Sequence, residues 1–300
     1  MTDEEWEQVG RDVSNNTHLT TVSLYDGALN DHKMSFLFSG LTRSSSITSI
    51  TFDHNGFSVA GVRSMVPFLQ NSNNLTKLNL NSNNIQSEGF NMLLRALRDN
   101  PIEKLYCSNC GIESIEIDND YIPRNVKFLD LYGNRINADG CRELVKLLQG
   151  GDSTLTALWL KKNKIDDEGV AILVDALQKN TSLVTLDLQG NDDISIQGQI
   201  MLLKLLNDIS SIKATLQSNH TLQFVTFEHI NDEIRMCIDM ALTINWKLNP
   251  EIAGRAKVIC THLRSENRAL LCRLQEVDHS VYSEIDPLHL PEVLSLIGRR

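Results

Sequence analysis

Residues 75–97, LTKLNLNSNNIQSEGFNMLLRAL, join a strand pattern to a helix pattern. The first half has the spacing LxxLxLxxNxI, which is formed by Leu75, Leu78, Leu80, Asn83 and Ile85. The second half has small or apolar residues four positions apart, at Gly89, Leu93 and Leu97. Alternation favours a short strand, and the i, i+4 spacing favours an amphipathic helix. The stretch therefore predicts one unit of strand, tight turn and helix.

The same unit recurs along the chain. Its first apolar position falls at Leu19, Ile47, Leu75, Ile102, Val126, Leu155, Leu183 and Leu222. Successive positions are 28, 28, 27, 24, 29, 28 and 39 residues apart. A single unit of this kind cannot bury its own apolar face, so copies must stack on both sides of it. We therefore predict about eight repeats over residues 18–228, sharing one continuous core in a single elongated domain.

These units resemble leucine-rich repeats, and their helix-bearing form is similar to the ribonuclease-inhibitor-like class. The resemblance covers about residues 6–228. It implies an α/β solenoid, a right-handed horseshoe with a parallel concave sheet and convex helices. The curvature has a physical reason, because strands in a sheet lie ~4.8 Å apart whereas packed helices need ~8–10 Å.

Both ends of the array are predicted to be helical caps. Residues 1–17 form the N-terminal cap, in which Thr2 and Glu5 have the spacing of a capping box. Residues 229–300 form the C-terminal cap. Within it, Asn249-Pro250 predicts the start of a helix reaching Glu276, followed by a last short helix over HLPEVLSLIGRR. The chain stops just after that apolar run, which leaves open whether the cap is truncated.

Several repeats depart from the pattern, and the first of them is degenerate. Pro67 lies in the helical half of the second repeat and is expected to kink or shorten that helix. In the fourth repeat, the stretch between Ile112 and Val126 lacks helical periodicity and contains Pro123, which predicts an extended or irregular convex side. The seventh repeat is long, and its helical side is expected over about residues 195–217.

The position that follows each strand carries a side chain with a structural role. The ladder consists of Asn55, Asn83, Cys110, Asn134, Asn163 and Asn191. A carboxamide has donors and an acceptor, so we expect each one to bridge buried backbone groups of the turn to the next unit. The glycines at 61, 89, 140, 169 and 198 are expected where the helix start approaches the turn closely.

Charge and composition restrict the function classes. The net charge of −10 argues against a nucleic-acid partner and against an anionic membrane surface. The acidic N-terminus does not resemble a secretory signal, and no run reaches the ~18 apolar residues that span a bilayer. We expect a cytoplasmic protein, with the nucleus as an alternative. The oligomeric state is left open, with a monomer as the expectation.

No stretch argues for catalysis, a metal or a cofactor. Cys107 and Cys110 form a CxxC pair, which can indicate a redox or zinc site. However, both occupy positions that the repeat reserves for buried residues, so a structural role is favoured. Asn15, Asn74, Asn180 and Asn219 lie in N-x-S/T sequons within predicted turns, and without a signal peptide we expect no glycosylation there. We predict a non-enzymatic protein with no catalytic residues and no cofactor.

One surface pattern predicts a binding site. Strand positions outside the core should face the concave side, and aromatic and charged residues concentrate on neighbouring strands there. The predicted partner-binding residues are Tyr106, Phe128, Asp130, Tyr132, Trp159, Lys161 and Asp187. Exposed aromatic rings beside charges are the composition of interface hot spots. The alternative is that the rings merely stack across strands and add local stability.

The sequence thus predicts a protein–protein interaction module that binds another protein on its concave face. Two alternatives remain open and come from the resemblance. One is a regulator that accelerates GTP hydrolysis, similar to the Ran-specific activator. The other is a ribonuclease-inhibitor-like protein, in which an acidic horseshoe grips a basic enzyme.

Overall fold

One parallel sheet runs the length of the repeat array, with its strands in chain order. The computed structural model describes residues 1–26, 29–118, 122–149, 153–228 and 231–263. The strands are Thr21–Ser23 (β1), Ser49–Thr51 (β2), Lys77–Asn79 (β3), Lys104–Tyr106 (β4), Phe128–Asp130 (β5), Ala157–Trp159 (β6), Thr185–Asp187 (β7) and Phe224–Thr226 (β8). Each strand begins two residues after the first apolar position of its repeat, as the spacing predicts.

Helices connect the strands and extend the array at both ends. They are Asp3–Asn15 (α1), Asp31–Gly40 (α2), Val59–Gln70 (α3), Gln86–Ala96 (α4), Ala138–Leu144 (α5), Asp167–Leu177 (α6), Ile196–Leu206 (α7), Ile212–Gln217 (α8), Asp232–Lys247 (α9) and Pro250–Val258 (α10). A 3-10 turn, Val145–Leu147, continues α5, and a π-helical turn, Ile259–Leu263, continues α10. The predicted α/β solenoid is confirmed.

The core lies between the sheet and the helices. The middle residue of each inner strand is buried and aligned with its neighbours: Ile50, Leu78, Leu105, Leu129, Leu158 and Leu186. Helix residues such as Leu93 and Leu173 close the core from the other side. At the N-terminal edge of the sheet, Val22 is only half-buried, because within the described residues β1 pairs with a strand on one side only.

The asparagine ladder joins each repeat to its neighbour. The Oδ1 atom of Asn83 accepts from the backbone N–H groups of Asn55 (3.0 Å) and Gly56 (2.9 Å), while its Nδ2 donates to the carbonyls of Phe52 (2.6 Å) and Leu80 (3.0 Å). The bonds therefore reach the preceding repeat, and the expectation of a bridge to the next unit was wrong in direction. The turn leaves its N–H groups pointing along the array, where the following asparagine accepts from them.

Cys110 occupies the same place in the fourth repeat with weaker bonds. Its Sγ lies 3.3 Å from the carbonyl oxygen of Leu80, while its backbone N–H donates to Asn134 Oδ1 at 3.0 Å. A thiol is a weak donor and acceptor, so this rung cannot replace a carboxamide fully.

A second asparagine ladder closes the opposite end of the repeats, where the chain returns from the convex side. Asn100 Nδ2 donates to the carbonyl of Leu69 at 2.7 Å. Asn180 does the same to Leu148 at 2.8 Å, and Asn219 to Leu177 at 2.8 Å. These asparagines are buried. A glycan on Asn180 or Asn219 would break these bonds.

The structure differs from the departures predicted for the helical sides of the second and seventh repeats. Helix α3 runs three residues beyond Pro67, so the expected shortening was wrong. Pro67 lies in the last turn, where little of the backbone ladder depends on its missing N–H, and the following Phe68 and Leu69 are buried. In the seventh repeat, residues 207–211 divide the expected single helix into α7 and α8.

The fourth repeat has the expected extended convex side. Residues 111–118 contain neither helix nor strand, and residues 119–121 lie outside the described part of the chain. Ile115 and Ile117 are buried and occupy the place that a helix fills in the other repeats.

The N-terminal helix packs very closely on the first repeat. The predicted capping box is present: the Glu5 N–H donates to Thr2 Oγ1 at 3.2 Å, and the Thr2 N–H donates to Glu5 Oε2 at 2.7 Å. Trp6 is buried. Gly10 and Gly40 allow the close approach, since a Cβ on either would lie 2.1 Å from a carbonyl oxygen of the opposite helix.

At the other end, α9 and α10 cover the last repeats. Asn249 caps α10 with Pro250 at its first position, as predicted. Asn245 in α9 donates to the carbonyl of Leu222 at 2.6 Å, which ties this helix to the approach to β8. The expected continuation to Glu276 and the final helix over HLPEVLSLIGRR lie beyond residue 263, outside the described residues.

Candidate functional site: the concave aromatic patch

The strand register arranges the concave side chains in rows that cross the sheet. The third residues of successive strands are aligned in one row: Tyr106, Asp130, Trp159, Asp187 and Thr226. The first residues form a second row: Lys104, Phe128, Ala157, Thr185 and Phe224. Neighbouring positions in a row are ~4.8 Å apart, so their side chains touch.

Three rings from these rows form a continuous stack, which we name the concave aromatic patch. The centroids of Tyr106 and Phe128 are 4.9 Å apart with an interplanar angle of 39°. Phe128 and Trp159 are 4.8 Å apart at 71°, an edge-to-face contact. Such pairs contribute about 0.5–1.5 kcal/mol beyond the area that they bury. The cross-strand stacking considered as an alternative is therefore present.

Stacking does not hide the patch. Trp159 remains 39% exposed, and Tyr106 and Phe128 are half-buried. Each ring is held on one side by its neighbour and keeps another side open to solvent. The arrangement therefore serves both interpretations, since the contacts that stabilise the rings also fix their orientation for a partner.

Tyr132 lies next to the patch and has a different environment. It follows β5 and is half-buried, and the Lys162 ammonium lies 5.8 Å from its ring centroid. At the other edge, the Lys77 ammonium lies 5.5 Å from the ring of Tyr106. Cation–π contacts of this kind stabilise exposed rings by about 0.5–1 kcal/mol.

Asp130 departs from the expectation of an exposed charge beside the rings. It is only 6% exposed, and its carboxylate accepts the Tyr132 N–H at 2.9 Å. Burial raises the pKa of Asp130 and the charge of Asp187 adds to this, while hydrogen bonds from the Tyr132 N–H and the Ser108 side chain oppose it. Asp130 lies between Tyr106 and Trp159 in its row, and alternation along a single strand cannot reveal that it is buried there.

The remaining predicted residues lie at the far side of Trp159. Asp187 is half-buried, and its Oδ1 accepts the Gln189 N–H at 3.0 Å and the Thr226 hydroxyl at 2.5 Å. Lys161 is also half-buried, and its ammonium donates to Gln189 Oε1 at 2.5 Å. The structure therefore brings all seven predicted residues onto one area of β4 to β7 and the turns after them.

One exposed ring was missed. Phe224 in β8 is 51% exposed and occupies the same register position as Phe128. That position, two residues after the first apolar residue of each repeat, identified Phe128 and would have identified Phe224 as well.

The cysteine pair offers no reactive group. Cys107 and Cys110 are both buried, and burial raises the pKa of Cys107 well above its ordinary value, with a further contribution from Cys110. The thiol therefore stays protonated. Within the described ranges, no cluster of His, Cys, Asp and Glu has the arrangement of a metal site. No helix in those ranges is long and apolar enough to cross a membrane.

Stacked strand–helix units with leucine spacing and asparagine-closed turns define a leucine-rich-repeat protein, and this chain is one. It resembles the ribonuclease-inhibitor-like class. The leucine-rich-repeat family pattern matches residues 71–94, 151–173 and 179–199.

Curated relatives support this assignment. The chain is 27% identical to a mouse ribonuclease inhibitor over 165 residues, covering 52% of this chain and 35% of that protein. It is 26% identical to human NACHT, LRR and PYD domains-containing protein 2 over 245 residues, covering 79% and 22%. A pig ribonuclease inhibitor is 24% identical over 186 residues, covering 60% and 41%. The chain thus spans well under half the length of these relatives.

A solved structure of a tropomodulin C-terminal domain from Caenorhabditis elegans aligns with 82% of this chain and 95% of its own. Its sequence identity is 13% and its TM-score is 0.30.

Proposed function

We propose that this chain is a non-enzymatic module that binds a partner protein through the concave aromatic patch. The observation that supports this most is the exposed indole of Trp159 on β6, held edge-to-face against Phe128 on β5. Rigid aromatic anchors lose little conformational entropy on binding, which is one reason that Trp and Tyr dominate interface hot spots.

The surroundings of the patch fit the same function. Charged side chains border it on both sides, with Lys77 near Tyr106 and Asp187 beside Trp159. A central aromatic cluster with a polar rim is the usual composition of a protein interface. Predicted residues that do not belong to the stack, such as Tyr132 and Lys161, would form part of that rim.

The direct test is capture of partners from a lysate of the source cell. The double variant Trp159→Ala, Tyr132→Ala should lose the proteins that the wild type retains. Trp246→Ala is the matched control, because Trp246 is 61% exposed on α9, away from the sheet. It should retain them. Both variants should melt within a few degrees of the wild type.

Two outcomes would contradict the proposal. One is equal capture by the double variant and the wild type, which would place the binding surface elsewhere. The other is a fall of melting temperature by ten degrees or more, on the order of several kcal/mol for a chain of this size. That outcome would show that the rings act mainly by stacking.

A second candidate is inhibition of a ribonuclease. Two ribonuclease inhibitors are among the relatives, and the net charge of −10 would attract a basic enzyme. The test is the activity of a pancreatic-type ribonuclease with this protein added. Strong inhibition that weakens as salt rises would support this candidate, because salt screens charge attraction between the two proteins. Undiminished activity with the protein in excess would remove it.

The regulator of GTP hydrolysis stays a prediction from the resemblance. Its measurement is GTP turnover by a panel of small GTPases with this protein added. Unchanged turnover at high protein concentration would exclude it.

A further inference from the structure

Trp159 lies between two carboxylates in the same row of the sheet. Asp130 is its aligned neighbour on β5, and Asp187 is its aligned neighbour on β7. With strands ~4.8 Å apart, the two aspartates are about 10 Å apart at Cα, with the indole between them. A partner side chain that lies on the ring can reach the half-buried Asp187 carboxylate directly, while the buried Asp130 acts on it through its charge.

Neither carboxylate is neutralised by a cation of the described chain. No ion pair within those residues includes Asp130 or Asp187. The ammonium of nearby Lys161 donates instead to Gln189. Both donors to Asp187 reach the same oxygen, Oδ1, so Oδ2 keeps acceptor capacity for a partner.

The burial of Asp130 argues against interpreting the two aspartates as part of an ordinary solvent-exposed acidic surface. Surface carboxylates usually stay in water, whereas this one is 94% removed from it in the centre of an exposed surface. Its backbone and side-chain donors hold it in place but carry no charge. A buried carboxylate without a counter-charge destabilises the protein, and a cation brought by a partner would remove that cost.

The residues of this row are suited to one kind of side chain from a partner protein. Trp is the best aromatic for cation–π contact, and a guanidinium stacks flat on an indole. The guanidinium also presents five N–H donors in one plane, so it can stack on the ring and donate to the Asp187 carboxylate at the ring's side. An ammonium is a compact, strongly hydrated point charge and cannot stack flat on the ring while it donates to the carboxylate.

We propose that the row Asp130–Trp159–Asp187 receives an arginine side chain of the partner protein. This inference rests on the proposed function and specifies the residue that the partner presents. The guanidinium lies on the indole, its edge donates to the Asp187 carboxylate, and its positive charge lies near the buried Asp130 carboxylate.

The test is selection from a displayed library of random twelve-residue peptides. Wild-type protein should enrich peptides that carry arginine at one fixed position, and Asp187→Asn should lose that preference. Asp53→Asn is the matched control, since it removes one negative charge after β2, away from this row. It should enrich the same peptides as the wild type. Trp159→Ala should enrich none of them.

A second measurement leaves the protein unchanged. One enriched peptide is synthesised with arginine and with citrulline, which has the same shape and no charge. The citrulline form should bind wild type at least tenfold more weakly, and its affinity should be almost insensitive to salt. Equal binding of the two forms would overturn the inference, whether or not the variants fold.

The outcomes separate this inference from the proposed function. Peptides that depend on Trp159 but lack basic residues would overturn the arginine inference and leave the binding patch in place. Lysine in place of arginine would overturn the choice of guanidinium. A library that yields no peptide dependent on Trp159 would count against both.

Discussion

Lys257 is a fully buried lysine at the C-terminal end of the array. It is 0% exposed, and its ammonium donates to the carbonyls of Leu206 (2.5 Å) and Asn219 (3.1 Å) and lies 3.1 Å from His220 Nδ1. Burial lowers the pKa of Lys257 to about 7, and burial together with the charge of Lys257 lowers the pKa of His220 to about 4. Helix α10 is therefore attached through a group that titrates near neutral pH.

This attachment predicts a pH dependence of stability. Between pH 7 and about 10 the unfolded chain keeps the proton on Lys257 more fully than the folded chain does. Because the unfolded state binds more protons there, the free energy of unfolding should rise with pH in that window. From pH 7 to 9, wild type should gain about 2 kcal/mol relative to Lys257→Met, measured by urea unfolding. Identical pH profiles for the two proteins would contradict this.

A single rung of the asparagine ladder should matter for stability. Asn163 accepts the Ile136 N–H at 3.0 Å and donates to the carbonyls of Leu131 and Leu160, both at 2.9 Å. Asn163→Ala leaves these buried groups without partners and should lower the free energy of unfolding by about 3 kcal/mol. Asn73→Ala, at an exposed position, is the control and should stay within about 0.5 kcal/mol of wild type. Urea denaturation measures both.

At the scale of elements, the contact between α1 and α2 gives a prediction. Replacing Gly10 by alanine would favour α1 as an isolated helix by nearly 1 kcal/mol. In the protein, however, the new Cβ would lie 2.1 Å from the carbonyl oxygen of Leu37, so the two helices must separate. We expect a net loss of about 2 kcal/mol and a red-shifted fluorescence of Trp6 as α1 lifts away.

The control for this variant is Gly56→Ala. Gly56 has a φ of +77° and nothing within 4 Å of an added Cβ, so only backbone strain should appear, about 1 kcal/mol, with no change at Trp6. A Gly10→Ala variant as stable as wild type, with unchanged fluorescence, would show that the two helices can separate at no cost.

Elements with a strict spacing could be predicted from the sequence, and elements that depend on neighbours could not. The leucine spacing places all eight strands, because each buried position must recur in register for the units to stack. The end of α3 and the break between α7 and α8 depend on packing around Pro67 and Asn207, which no period in the sequence records.

The candidate site shows the same division. Alternation along a strand assigns Trp159 and Asp130 to the concave side, and both lie there. It does not predict that Asp130 is buried, because burial on an open face depends on side chains of other repeats. The second asparagine ladder escaped notice for a related reason, since its members lie where polar turn residues are common anyway.

At the scale of the whole molecule, the fourth repeat should separate two halves. No helix is present in residues 111–118, so α4 and α5 lack a neighbour of their own kind between them. Leu78→Ala in β3 should therefore accelerate amide exchange in β1 to β4 more than in β6 and β7. Leu186→Ala in β7 should do the reverse. Each substitution should cost about 2–5 kcal/mol, and mass spectrometry measures the exchange.

Equal acceleration along the entire sheet in both variants would contradict this prediction. It would mean that the buried side chains of Ile115 and Ile117 couple the halves as firmly as a helix does.

The direction of the asparagine bonds gives the solenoid a polarity. Asn191 accepts from the N–H groups of Asn163 and Ile165, so each turn is completed only by the coil that comes after it. Removing coils from the front end leaves a carboxamide that water can satisfy. Removal of repeats from the C-terminal end takes the asparagine acceptor away from backbone N–H groups of the repeat that remains. Deletion of the first repeat should therefore destabilise the protein less than deletion of the last repeat. A new capping segment fused to the shortened C-terminal end should reduce that difference.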